Sequence, residues 1–305
     1  MKIICRWLYL QAILFSFLIQ PIFSDTHQRS FIWPVKTTNI SDKLSSLFGE
    51  SRGDHFHNGL DISSINEPVL AMEDGKILYS RYKSDSPFEE TLGPGNVVWL
   101  SHGRGYLSAY YHMKAKSRKN VFENLDLKKG EKLGVTGNTG HSSGAHLHFV
   151  IASHYGKKII NPLDVLPPVI DSHRPILGAL ILTIGENYTY INDGDNINLS
   201  QGYPISIIAM DRGEKSGQKR GLHGIKFSLN GKPVKQSTFN YISLFKGRWV
   251  NDSGISFDEL FFRGNYYLGS PDLPAGYNTV TVEAWDYFEQ TTRKEFRFHV
   301  NRINR

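Results

Sequence analysis

Apolar and polar positions alternate along Ala145-His146-Leu147-His148-Phe149-Val150-Ile151 with a period of two, which predicts a β-strand buried on one face. Successive side chains in a strand point to opposite faces. Leu147, Phe149 and Ile151 therefore share an apolar face, while His146, His148 and Val150 share the other. Related runs predict strands at Pro68–Met72, Gly75–Tyr82, Asn96–His102 and Tyr106–His112. Gly, Asn, Asp and Pro separate these runs at the short intervals of an all-β domain. No long helical period stands out, and Ser41–Leu47 reads as one short helix. Asp85–Gly95, which contains Pro87, Gly93, Pro94 and Gly95, reads as a surface loop.

The texture changes near Asn161-Pro162, and Pro167-Pro168 reads as a linker. Strand patterns then restart at Pro175–Ile184, Tyr188–Ile191, Tyr203–Met210, Gly224–Leu229, Thr279–Trp285 and Glu295–Val300. Asn230-Gly231 between two extended runs marks a two-residue hairpin. Short strands at this spacing predict an immunoglobulin-like or fibronectin-like β-sandwich over residues 169–305. A length of 305 residues agrees with two domains, the first covering 25–168. The sandwich contains no motif with a chemical logic. It reads as a structural or interaction module, suited to wall polymer or an envelope protein partner.

Residues 1–24 are of another kind. Lys2 and Arg6 precede the mostly apolar run Trp7–Ile19, and the small Ser24 follows. This is the layout of a secretory signal peptide cleaved near Ser24-Asp25; Ile22 is bulky for a cleavage site, which keeps an uncleaved anchor open as the alternative. The run is short for a transmembrane span. The expected mature chain is thus exported to periplasm, cell envelope or exterior, and carries no transmembrane helix. The lone cysteine, Cys5, lies in that segment, so a structural metal would need His, Asp or Glu ligands. The formal charge of +6 falls to +4 without Lys2 and Arg6, and no basic patch with interleaved aromatics points to nucleic acid.

The histidines change the picture. His146-x-His148 has a counterpart in His55-Phe56-His57, and either pair alone is weak evidence. His57-Asn58-Gly59-Leu60-Asp61, however, sets a histidine and a carboxylate four residues apart, a spacing that returns both to one face in a strand or a helix. Gly59 between them permits a turn or a close approach. With His148 the set is two imidazoles and one carboxylate, which as three protein ligands would leave a fourth tetrahedral position open, as in catalytic zinc sites. His146 is about 6–7 Å along the strand from His148. Both can ligate one ion, or one can ligate while the other stands beside the reacting water. Spacing does not choose between these. His112 ends the run Leu107-Ser108-Ala109-Tyr110-Tyr111-His112 and is a candidate neighbour of the site.

Over about residues 44–166 the chain resembles the lysostaphin-type zinc endopeptidases of family M23. The resemblance rests on Phe48-Gly49-Glu50-Ser51-Arg52, His57–Ile62, Glu67–Ile77, Gly95–Gly103, Tyr110–Met113, Lys128–Phe149 and Asn161-Pro162, in that order. It implies a mainly β fold, with an antiparallel sheet carrying a groove. It also implies one zinc ion held by His57, Asp61 and His148, with His112 and His146 as catalytic histidines. The implied activity is hydrolysis of peptide bonds in peptidoglycan stem peptides or cross-bridges by metal-activated water. The alternative on the same fold is a non-catalytic wall-binding or hydrolase-regulating protein. Ala145, where proline is common, and Val150, where glutamate is frequent, depart from the family pattern and bear on substrate preference rather than on the metal.

Overall fold

The computed structural model describes residues 31–82, 93–114 and 126–303. The expected signal segment, Cys5 and residues 85–92 of the expected loop lie outside the described residues. The chain is mainly β, and no described helix is long and apolar enough to cross a membrane.

Among the described residues, ten strands come from the first half: β1 (Leu44–Ser46), β2 (Leu60–Ser63), β3 (Pro68–Leu70), β4 (Gly75–Arg81), β5 (Asn96–Ser101), β6 (Leu107–Met113), β7 (Asp126–Leu127), β8 (Lys132–Val135), β9 (His146–Ser153) and β10 (Lys158–Ile160). All but β3 and β8, which pair with each other, belong to one antiparallel sheet. Strand β9 lies at its centre, flanked on one edge by β6 and on the other by β2 and then β10. Leu147, Phe149 and Ile151 are fully buried against Leu60, Ile62, Leu100 and Tyr110. Burial of that face fixes the register, since a slip of one residue would put His146 and His148 into the core. Residues 41–47 differ from expectation. One 3-10 turn, Ser41–Lys43, leads directly into β1, where Leu44 pairs with Ile62 and Ser46 with Asp61. So short a helix is marginal by itself, and sheet pairing that buries Leu44 displaces it.

The second half supplies β11 (Ile176–Ile184), β12 (Asn187–Ile191), β13 (Asn196–Leu199), β14 (Ile205–Arg212), β15 (Lys219–Arg220), β16 (Gly224–Leu229), β17 (Lys232–Thr238), β18 (Tyr241–Phe245), β19 (Arg248–Asn251), β20 (Phe261–Phe262), β21 (Asn265–Gly269), β22 (Gly276–Trp285) and β23 (Thr291–Arg302). One sheet has the order β12-β11-β14-β21-β20 with β15 beside β14, and the other β13-β23-β22-β16-β17. Their inner faces, Leu180, Leu182, Ile205 and Ile207 against Phe227, Val282, Phe296 and Phe298, share a single core. Asn230 and Gly231 both have positive φ, 49° and 77°, as a type I′ hairpin turn requires.

The two halves interpenetrate. Hairpin β18–β19 leaves the sandwich and pairs with β10, Lys158 opposite Ser243 and Ile160 opposite Tyr241, which extends the first sheet to ten strands. In return Phe48 and Phe56 are buried in the core of the second half.

Candidate metal centre

Asp61 in β2 and His148 in β9 are direct register partners, and side chains so opposed on one face meet. His57 reaches them from the loop before β2, so neither a shared strand nor a helix unites it with Asp61. That loop is anchored by Phe56, whose ring lies 5.4 Å from Phe239, 5.4 Å from Phe257 and 6.1 Å from Phe261. His57 Nε2 lies 3.1 Å from Asp61 Oδ1, His148 Nδ1 lies 2.9 Å from that same oxygen, and the two nitrogens are 3.0 Å apart.

The outer nitrogens identify the chemistry of the inner ones. His57 Nδ1–H donates to the Leu47 carbonyl at 2.6 Å, and His148 Nε2–H donates to Asn58 Oδ1 at 2.9 Å. These oxygens only accept, which assigns a proton to each outer nitrogen and a lone pair to each inner one. Two imidazole lone pairs and a carboxylate oxygen therefore face one another, an arrangement that calls for a cation. Tetrahedral zinc with Zn–N bonds of about 2.0–2.1 Å would hold such atoms about 3.3 Å apart, so the donor set fits that metal in type and spacing. A proton is a poor substitute. Burial pushes His148 down to about 4, aided by His57 and His112 and opposed by Asp61. Burial by itself would raise the Asp61 carboxyl, but positive charge at His57 and His148, present only when those rings are protonated, would hold it far below the usual carboxylate range. Arg52 donates to Asp61 Oδ2 at 2.5 Å and to the Ser46 hydroxyl at 2.8 Å, so Oδ1 is the oxygen left facing the two rings.

The Leu47 carbonyl that orients His57 is itself held from the second half. Glu50 Oε1 accepts from Leu47 N–H at 2.6 Å and from Gly221 N–H at 2.9 Å, and the Tyr287 hydroxyl donates to the Phe48 carbonyl at 2.7 Å.

His112 and His146 stand beside this trio. Strict alternation would turn His112 inward with Ser108 and Tyr110. Instead β6 bulges opposite Val97, and His112 takes a left-handed conformation with φ 60°, which re-aims its ring. The ring centroid lies 4.8 Å from that of His146 and 6.0 Å from that of His148. His112 Nδ1–H donates to the Thr139 carbonyl and His146 Nδ1–H to the Gly144 carbonyl, both at 2.8 Å, leaving each Nε2 with a lone pair. Burial lowers the His112 pKa, opposed by the Thr139 carbonyl. His146 Nε2 is 3.6 Å from Asp61 Oδ1 but outside the mutually converging group of His57, Asp61 and His148. Of the other histidines, His55 is exposed beside Asp54, His102 is bonded to the Asp74 carbonyl and the Ser108 hydroxyl, and His141 is exposed.

Residues 55–162 match the family model Peptidase family M23. Those residues form an M23 peptidase domain. A second family model, bearing no description, matches residues 174–301. The chain is 37% identical over 113 residues to an uncharacterized metalloprotease of Haemophilus influenzae, covering 37% of this chain and 21% of the relative. It is 34% identical over 136 residues to the murein hydrolase activator NlpD of Escherichia coli, covering 44% of this chain and 31% of that protein. The chain thus spans about a fifth to a third of the length of these curated relatives. A zinc-containing peptidase from Vibrio cholerae aligns at 26% identity and TM-score 0.37, over 46% of this chain and 41% of that one.

In the M23 domain Gly59 serves a close approach. A Cβ there would lie 2.3 Å from the Phe149 carbonyl oxygen, which is backbone and cannot step aside. Gly59→Ala is expected to part β2 from β9, with a stability loss of about 1–3 kcal/mol and weaker metal binding, because Asp61 and His148 sit on those strands. Thermal melts and a zinc titration check both effects.

Proposed function

We propose that the chain is an exported zinc metalloendopeptidase that hydrolyses peptide bonds in peptidoglycan stem peptides or cross-bridges. One observation carries the reading: two imidazole lone pairs and one carboxylate oxygen converge, each ring locked from behind by an oxygen acceptor. The proposed ligands are His57, Asp61 and His148. Zinc bound there would polarise the scissile carbonyl and lower the pKa of a water in its open position to about 7. His112 and His146 each offer a neutral Nε2 beside that position. One is suited to take the water's proton. Once protonated, an imidazole is suited to steady the oxyanion that develops on the carbonyl.

A cleft beside the trio, lined by Asn58, Trp99, Tyr111, Val150 and Ile159, gives an extended peptide a floor next to His148. Beyond Asn58 a second cleft is walled by Ile242, Arg248 and Trp249 of the hairpin lent by the second half. We assign residues 25–168 to the peptidase unit and 169–305 to the sandwich that supports it. A named metalloprotease and a murein hydrolase activator among the relatives agree with a cell-wall substrate and an envelope location.

The activator's name also favours a rival, a non-catalytic regulator on this fold. Metal analysis and digestion of purified sacculi separate the two. The peptidase reading expects one zinc per chain in the wild type, none in Asp61→Ala, and new peptide termini that a chelator prevents from forming. Stoichiometric zinc without chelator-sensitive cleavage of several wall types supports the regulator, and a wild-type chain that takes up no zinc defeats the proposal.

A further inference from the structure

A second cluster of candidate ligands lies far from the histidines in sequence and contains only oxygen donors. Asp211 near the end of β14 and Asp286 in the turn after β22 are each 1% exposed, and the Asp171 side chain in the inter-domain linker is fully buried. One carboxylate oxygen from each lies within 4.8 Å of the others. Asp171 is partly satisfied: Oδ2 accepts from Arg220 at 3.2 Å and Oδ1 from the His173 N–H at 2.9 Å. Asp286 Oδ1 accepts from the N–H groups of Phe288 and Gln290, and Oδ2 from the Gln290 side chain. Asp211 differs, because neither of its oxygens has a well-formed hydrogen bond among the described residues.

Among the described residues the charges do not balance. Three buried carboxylates face the guanidinium of Arg220, which divides its donors between Asp171, the carbonyls of Ser41 and Leu44 and the Gln218 side chain. Buried charge persists only when paired or metal-bound; otherwise the group takes up a proton. Consistent with this, burial and the Asp171 charge push the Asp211 carboxyl up to about 8, with Asp286 adding to the rise and the Arg212 N–H and Arg220 opposing it.

We infer that Asp171, Asp211 and Asp286 form a second cation site, specific for calcium, at the joint between the two halves. Ligand atoms within 4.8 Å of one another are close enough to share one cation, and an all-carboxylate donor set suits calcium. Zinc prefers nitrogen and sulfur donors, and magnesium demands a near-ideal octahedron and usually keeps several waters rather than an all-protein cage. The ion would tie the linker to β14 and to the β22–β23 turn. Arg220 carries the joint on to Ser41 and to Leu44, the first residue of β1, which pairs with Asp61's own strand.

The test uses full-length chain, zinc-loaded for the wild type and the aspartate variants and zinc-free for His148→Ala, stripped of calcium and titrated with calcium chloride, followed by calorimetry and thermal melts. The wild type is expected to bind one calcium per chain and to melt about 5 °C higher at a calcium concentration near 100 times its dissociation constant. Asp211→Asn is isosteric and removes repulsion, so it should melt at or above the calcium-free wild type and show no calcium response; Asp171→Asn should lose the response as well. His148→Ala should keep it, which separates this site from the histidine centre. Four results overturn the assignment: no calcium-dependent shift in the wild type up to about 10 mM, beyond the weakest extracellular calcium modules; an undiminished response in both aspartate variants; a response lost in His148→Ala; or stabilisation by magnesium with calcium inert.

Discussion

His148→Ala is expected to leave the purified chain without stoichiometric zinc and to cut cleavage of wall peptides by roughly 10³-fold or more, since water activation and carbonyl polarisation vanish together. The variant removes one of three converging donors and leaves Asp61 Oδ1 with His57 alone at hydrogen-bond distance. A milder change tests the same logic from outside the ring. Asn58 Oδ1 is the acceptor that keeps the proton on His148 Nε2, and Asn58→Ala frees the imidazole to move that proton to Nδ1, the atom facing His57 and Asp61. Loss of such an outer partner typically weakens metal affinity about 10–100-fold. Competition against a chromophoric zinc chelator measures both variants. Full zinc in His148→Ala would remove that residue from the ligand set. Wild-type affinity in Asn58→Ala would show that the amide does not set the tautomer.

Strand β9 was legible because its first half alternates between a buried and a half-buried face, the pattern that a half-buried sheet imposes on a sequence. Strands β4, β5 and β6 do not alternate cleanly and were legible from β-branched and aromatic runs set between turn residues. The 230–231 hairpin was legible for another reason, since Asn-Gly is the pair that most readily takes two positive φ values. Hairpin β18–β19 was not read. Its turn, Lys246-Gly247, also has positive φ at both positions, 49° and 79°, but lysine carries no turn signal, and its partner β10 is only three residues long and 81 to 85 positions earlier. The stretch 41–47 was misread because Leu44 and Leu47 are spaced as on a helix, while pairing with β2 is a tertiary fact.

At the site, the donor types and the two histidine pairs were visible. The acceptors behind the rings were not, because backbone carbonyls such as those of Leu47, Thr139 and Gly144 have no residue signature. Phe56 illustrates a signal seen and misjudged. In His55-Phe56-His57 the histidines draw notice, yet the phenylalanine, buried among rings of the second half, holds His57 in place. The trio of Asp171, Asp211 and Asp286 was missed altogether, since its members come from a linker, a strand and a turn, and each looks like an ordinary surface aspartate in sequence.

His146→Ala provides the sharpest separation between holding the metal and using it. His146 shares a strand face with His148, but its Nδ1 is tied to Gly144, its Nε2 stops 3.6 Å from Asp61 Oδ1, and it stands outside the converging trio. The variant is expected to keep one zinc per chain and to lose about 10²–10⁴-fold in kcat, the usual contribution of a positioned acid or base. His112 needs a different substitution, because its left-handed backbone tolerates asparagine better than alanine. His112→Asn should likewise retain zinc and lose kcat. The rings are 4.8 Å apart, and if they act on one proton and one oxyanion as a unit, the double variant should be little worse than either single one. Kinetics on a defined stem peptide, with zinc measured in the same samples, decide the matter. Loss of zinc in His146→Ala would make it a ligand, and fully additive losses would mean that the two imidazoles serve separate steps.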